Sequence, residues 1–225
     1  AVRGCTPKTI TAYGDCYKVF FETVNKSIPD ITNGDLQSYF AYCKVKLHNK
    51  DVTINNKKRY LRMLFGWLTE EEYIAKNPML RIRDNKVEHK VKEVFEEEQI
   101  TIVKDVAKQH SKRDIAIVDF LHRTGVRISE MVALNREDID FYDRECIVYG
   151  KGRKERPVYF SWDASVHLRE YLESRTDDNP ALFVGSRKPY NRLTDDGVRA
   201  MLKSLSEMDP RLEGVAINPH KWRRQ

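Results

Sequence analysis

The chain has 225 residues, 40% of them hydrophobic, and a formal net charge of +6. That is enough apolar material for one large or two modest cores, and no run approaches the roughly 20 apolar residues of a membrane span. Cys5, Cys16, Cys43 and Cys146 contain no CxxC pair, which argues against a disulfide framework or a zinc site and for reduced thiols in a cytosolic protein.

The charge is unevenly spread. Residues 1–84 carry 14 Lys/Arg against 9 Asp/Glu, whereas 85–225 carry 26 against 25. A basic excess in the first third fits a surface that displaces counterions from nucleic acid, and Lys57, Lys58, Arg59 and Arg62 are its candidate phosphate contacts.

In chain order, Thr6-Pro7 supplies a capping hydroxyl before a proline, and Ile10, Tyr13, Tyr17, Phe20, Phe21 and Val24 then recur at helical spacing. Asn33-Gly34-Asp35 opens a second helix, Thr53 a third, and a short fourth is expected from Glu70 to Ala75, stopped at Asn77-Pro78. Their aromatic stripes read as the core of a small all-α domain over 1–84. The segment 81–94 is charged and lacks an apolar period, which sets a linker at 85–94 and a second domain at 95–225. There Glu96-Glu97-Glu98 opens a helix through Val106, and Asp114 to His122 form another. Glu145–Tyr149 and Arg156–Phe160 read as a hairpin around GKGRKE, Trp162–Glu173 as helix, Ala181–Gly185 as a strand, and Thr194–Met208 as a capped helix. The second domain is thus mixed α+β.

Three motifs carry chemistry. In TGVRISE, Thr124–Glu130, a glycine ends one helix and Arg127 re-enters the next, where a guanidinium can be aimed at two phosphate oxygens and Glu130 can lock it. Lys151, 24 positions later in GKGRKER, stands between two glycines, where an ammonium has no packing duty and suits general-acid work on a departing oxygen. Arg153, Lys154 and Arg156 read as the solvated remainder of that turn, Arg153 being a further candidate DNA contact. In NPHKWRR, 218–224, His220 and Arg223 lie three apart on one helical face, Lys221 and Arg224 can reach flanking phosphates, and Trp222 points toward the core.

Arg, Lys, His and Arg in this order and spacing resemble the tyrosine recombinase, or phage integrase, family, over most of the chain. The resemblance implies a helical, SAM-like core-binding domain followed by a mixed α+β catalytic domain. It implies that Arg127 is the first catalytic arginine, Lys151 the hairpin lysine, and His220 and Arg223 the HxxR pair, with Glu130 in support. The wording PHKWRR resembles integrases of Gram-positive mobile elements more than Xer resolution enzymes. Such enzymes integrate and excise DNA through a 3′-phosphotyrosyl link and a Holliday junction. They act as homotetramers on double-stranded DNA, with no metal or other cofactor and, in some cases, an accessory directionality factor. A cytoplasmic, nucleoid-associated protein without a membrane partner is expected.

All eleven tyrosines lie upstream of Arg223, whereas the family places its nucleophile downstream of HxxR. The 225 residues are therefore expected to bind DNA without cleaving it, as a catalytic domain lacking its C-terminal part. The N-terminus, with neither initiator Met nor signal profile, is expected to be cut or processed, with an arm-type DNA-binding domain as a possible loss. A DNA-binding decoy shares every residue here, and a type IB topoisomerase uses a similar constellation.

Overall fold

Thr6 accepts from the Thr9 amide with Pro7 in the first turn, and the resulting helix α1 runs Pro7–Val24 until Asn25 closes it in the left-handed conformation. In the computed structural model, which describes residues 4–88, 94–150, 154–215 and 217–222 with the His220 side chain excepted, the chain divides into two units, 1–90 and 91–225. No described helix is long and apolar enough to cross a membrane.

In the first unit, α1 packs with α2 (Asn33–Val45) and α3 (Asp51–Glu70). Thr32 and Asp35 form a reciprocal capping box at the start of α2. Every one of these helices contributes aromatic rings to the core. Phe20 meets Tyr39 and Phe65 edge-on, at centroid distances of 5.0 and 6.0 Å, a geometry that adds to the area the rings bury. The expected fourth helix is absent. After α3 the chain turns through a left-handed Glu72, and the amides of Tyr73 and Ile74 return to the Leu68 carbonyl, which ends the helix instead of starting another. The third helix also begins at Asp51, two residues before Thr53.

The second unit is built on α5 (Lys112–Thr124), whose residues Asp114 to Leu121 are all buried. A helix buried all round lies at the centre of its domain. It packs against α4 (Glu97–His110) and, after α6 (Ile128–Ala133) and the sheet, against α7 (Trp162–Glu173). Its two buried acids are both partnered. Asp114 meets His110 and Arg113, and Asp119 lies 2.6 Å from both Lys104 Nζ and His167 Nδ1. The helices α8 (Asp195–Met208) and α9 (Pro219–Trp222) complete the core, with Trp222 buried against Phe95 at 4.5 Å.

The antiparallel sheet runs in the order β1 (Ile139–Asp140), β2 (Glu145–Tyr149), β3 (Glu155–Tyr159). β1 has too few residues to carry an alternating pattern, and the sequence did not mark it. Cys146 pairs with Val158 and Val148 with Arg156, which turns these residues toward the core and leaves Ile147, Tyr149 and Tyr159 outside. The strand expected over Ala181–Gly185 is reduced to isolated bridges, Asn135 to Ala181 and Val184 to Arg192. Its apolar side chains are buried as a strand's would be, but the Ala181 and Leu182 carbonyls accept from Arg175 Nη1 at 2.6 and 3.0 Å.

Candidate DNA-processing site

Gly125 ends α5 in the left-handed conformation, its amide bonded to the Leu121 carbonyl, and buried Val126 fixes the turn that follows. Arg127 is consequently the N-cap residue of α6. A helix start leaves amides that need acceptors. The Arg127 amide finds one in Glu130 Oε2 at 2.9 Å, while Arg127 Nη1 bonds Glu130 Oε1.

Glu130 is the hub. Its side chain is 3% exposed, against 47% for Arg127. Burial pushes its carboxyl pKa up, but bonds from the Arg127 amide, the Arg127 guanidinium and Arg156 outweigh this and hold the group below the ordinary carboxylate range. Arg127 is thus anchored by one nitrogen and still half exposed. Among the described residues its Nε–Nη2 edge is unclaimed, and a fork of that kind grips two phosphate oxygens.

The second guanidinium on Glu130 belongs to Arg156, Nη2 to Oε2 at 2.8 Å. It does not belong to a solvated turn, because strand alternation puts it on the inner face beside Val158. Its signal in the sequence is the period of two in β3. Sequence reasoning also missed Arg192, whose Nη1 bonds the Val132 and Leu134 carbonyls at 2.8 and 2.9 Å and whose Nη2 bonds Asn135. It closes the C-terminal end of α6, an arrangement between residues nearly 60 apart that no local pattern announces.

Lys151, Arg153, Arg223, Arg224 and the His220 side chain lie outside the described residues. Lys221 does not present its side chain outward as a phosphate contact. It is 7% exposed, with its ammonium 5.1 Å from the centre of the Phe95 ring. In the first unit the basic run is largely turned onto its own chain. Lys58 is 5% exposed and donates to the Arg83 carbonyl at 2.7 Å and to Asn85 Oδ1. Burial pushes its pKa down. It is a structural lysine, because the face of α3 it occupies is covered by residues 82–85. Arg62 bonds the Ile82 carbonyl and Asp84, and Lys57 Nζ lies 3.6 Å from Cys43 Sγ. Arg59 is exposed beside the Tyr60 ring.

Comparison with known proteins decides the family. The Phage integrase family profile matches residues 93–225, and the phage integrase N-terminal SAM-like domain matches residues 1–75. The chain belongs to the phage integrase family. Relatives of this integrase include the tyrosine recombinase XerC of Staphylococcus aureus, 31% identical over 233 residues that span 98% of the chain and 76% of the relative. Solved structures with its fold include the Tn1549 transposon integrase in complex with circular intermediate DNA, at TM-score 0.75 and 21% identity, covering 98% of this chain and 80% of that one. A lambda integrase dimer bound to a COC′ core site matches at TM-score 0.77 and 16% identity, over 98% and 81%. The SAM-like helical domain and mixed catalytic domain of the integrase follow the family's architecture. Its enzymatic class is site-specific DNA recombination by strand cleavage and rejoining.

Proposed function

We propose that this integrase binds a recombination site in double-stranded DNA and activates the scissile phosphate with Arg127, Lys151, His220 and Arg223. The reading rests on Arg127, which is half exposed, locked at a helix start by a buried carboxylate, and set in a chain that matches the family in both halves. The arginines neutralise the charge that develops on phosphorus, and Lys151 protonates the departing 5′ oxygen. Tyrosine attack conserves the bond energy as a 3′-phosphotyrosyl link, so rejoining needs no nucleotide. On this reading the attacking tyrosine is none of the eleven present, which all lie upstream of Arg223. The working assembly is a homotetramer exchanging strands through a Holliday junction, with an accessory directionality factor. The physiological substrate is the junction of a mobile element, and the setting is cytoplasmic.

The test is covalent trapping on a nicked site with the native full-length polypeptide. Arg127→Ala and Arg223→Ala should each reduce adduct formation by about a hundredfold or more, the loss that follows removal of one preorganised donor. Adduct at the wild-type rate in either variant ends the assignment. The 225-residue chain alone should shift site DNA in a gel without forming adduct, and a covalent product from it would show that the nucleophile is internal.

A further inference from the structure

We propose that Arg156 is a positioning residue that fastens the β2–β3 hairpin to the Arg127 site through the shared Glu130 carboxylate, and so sets where Lys151 works. This rests on the reading of Lys151 as the general acid. The pair is buried at one end only, Glu130 being 3% and Arg156 39% exposed. Arg156 stands across from Val148, two residues before Gly150, and the hairpin closes there with the Gly150 amide on the Lys154 carbonyl at 2.8 Å. A Cβ placed on Gly150 would lie 3.9 Å from Glu130 Oε1, the oxygen that holds Arg127. The neck of the hairpin therefore passes beside the carboxylate that anchors the arginine, and Lys151 is the next residue in the chain.

Among the described residues the three bonds to Glu130 are not equivalent. Removal of Arg156 leaves Arg127 with both of its own contacts, the amide and Nη1. The hairpin loses the one side-chain bond that ties it to α6 among the described residues. The defect should fall on proton donation from the loop, with phosphate binding by Arg127 spared.

A substrate with a 5′-bridging phosphorothiolate separates these effects, because sulfur leaves without a proton. In the native full-length polypeptide, Arg156→Met should cleave the ordinary phosphodiester about tenfold or more slowly, as expected for a displaced catalytic group. It should return to within about threefold of wild type on the phosphorothiolate. Arg156→Lys, which can remake a single bond to Oε2, should stay within about threefold on both substrates. Lys151→Ala is the control. If Lys151→Ala is rescued and Arg156→Met is equally slow on both substrates, the inference falls and the Lys151 reading stands. If Lys151→Ala is not rescued, the general-acid reading falls and takes this inference with it. Wild-type cleavage by Arg156→Met on the phosphodiester also overturns the inference.

Discussion

Replacing Glu130 tests how α6 and its arginine are held. In Glu130→Ala the Arg127 amide loses its acceptor, a cap worth about 1 kcal/mol. Two ion pairs also go. A fully buried pair costs about 3–5 kcal/mol to break, but Arg127 and Arg156 are 47% and 39% exposed and can turn to water, so about 0.5–1 kcal/mol each is the appropriate figure. The total is about 2–3 kcal/mol for the second unit. Glu130→Gln keeps one acceptor oxygen and loses the charge, and should cost about half as much. The assay is urea unfolding followed by tryptophan emission in a Trp67→Phe background, which leaves Trp162 and Trp222, both in the second unit, as reporters. A double-mutant cycle of Glu130→Gln with Arg156→Met should return a coupling of about 0.5–1 kcal/mol. The pH dependence has a definite sign. The carboxyl is held below its ordinary value of 4.5, so its contribution is complete above that pH and is lost as pH falls below it, and the gap between wild type and Glu130→Gln should close there. If Glu130→Ala unfolds within about 0.5 kcal/mol of wild type at pH 7, the hub carries no weight and the reasoning is wrong.

Lys58→Met should destabilise the first unit by about 1–2 kcal/mol, through the orphaned Arg83 carbonyl and Asn85, and leave the salt dependence of DNA binding unchanged. A fall of about 0.9 in the log-log slope measured by fluorescence anisotropy would instead make it a phosphate contact. Burial, with Lys104 and Arg123 nearby and Asp119 opposing, pushes His122 down to about 4. Its neutral form therefore supports folding above 6.5, and that support is lost as pH falls from 6.5 through 4, so the drop in urea midpoint over this window should be smaller in His122→Gln. Equal slopes in the two proteins would remove His122 from the account. Arg192→Ala leaves the Val132 carbonyl without its donor and the Leu134 carbonyl with only the Leu182 amide, and should cost about 1–2 kcal/mol by the same urea assay, whereas a loss under about 0.5 would mean that water replaces it.

Elements announced by local chemistry were legible in the sequence. Thr6-Pro7 and Thr194 mark helix starts because a capping hydroxyl acts within three residues, and Trp162–Glu173 was read to the residue. Arg127 and Glu130 were legible for the same reason, three residues apart at the start of a six-residue helix. Arg156 was not, because its partner is 26 residues away and the pairing depends on which face of β3 turns inward. The basic run on α3 misled for a related reason. Charge spacing marks the cations but not the residues 82–85 that fold back over Lys58. Ala181–Gly185 showed its burial in its apolar run, yet the partner of its carbonyls was an arginine from α7's end and not a strand.

The fastening of Asn85 to α3 has a consequence for how the two halves can act together. Asn85 donates its amide to Asn55 Oδ1 at 2.8 Å and its side chain to Asp51 Oδ1 at 2.7 Å, which latches the chain to α3 there, and the next buried residue among those described is Phe95. Ten residue steps reach about 35 Å when fully stretched. On the proposed reading, in which both halves touch DNA, a tether this short gives the second foothold an effective concentration in the millimolar range once the first is made. Two individually weak grips then behave as one durable grip, and the latch at Asn85 becomes a control on residence time. Loosening it lengthens the leash without adding a residue, and lets either half leave the duplex on its own.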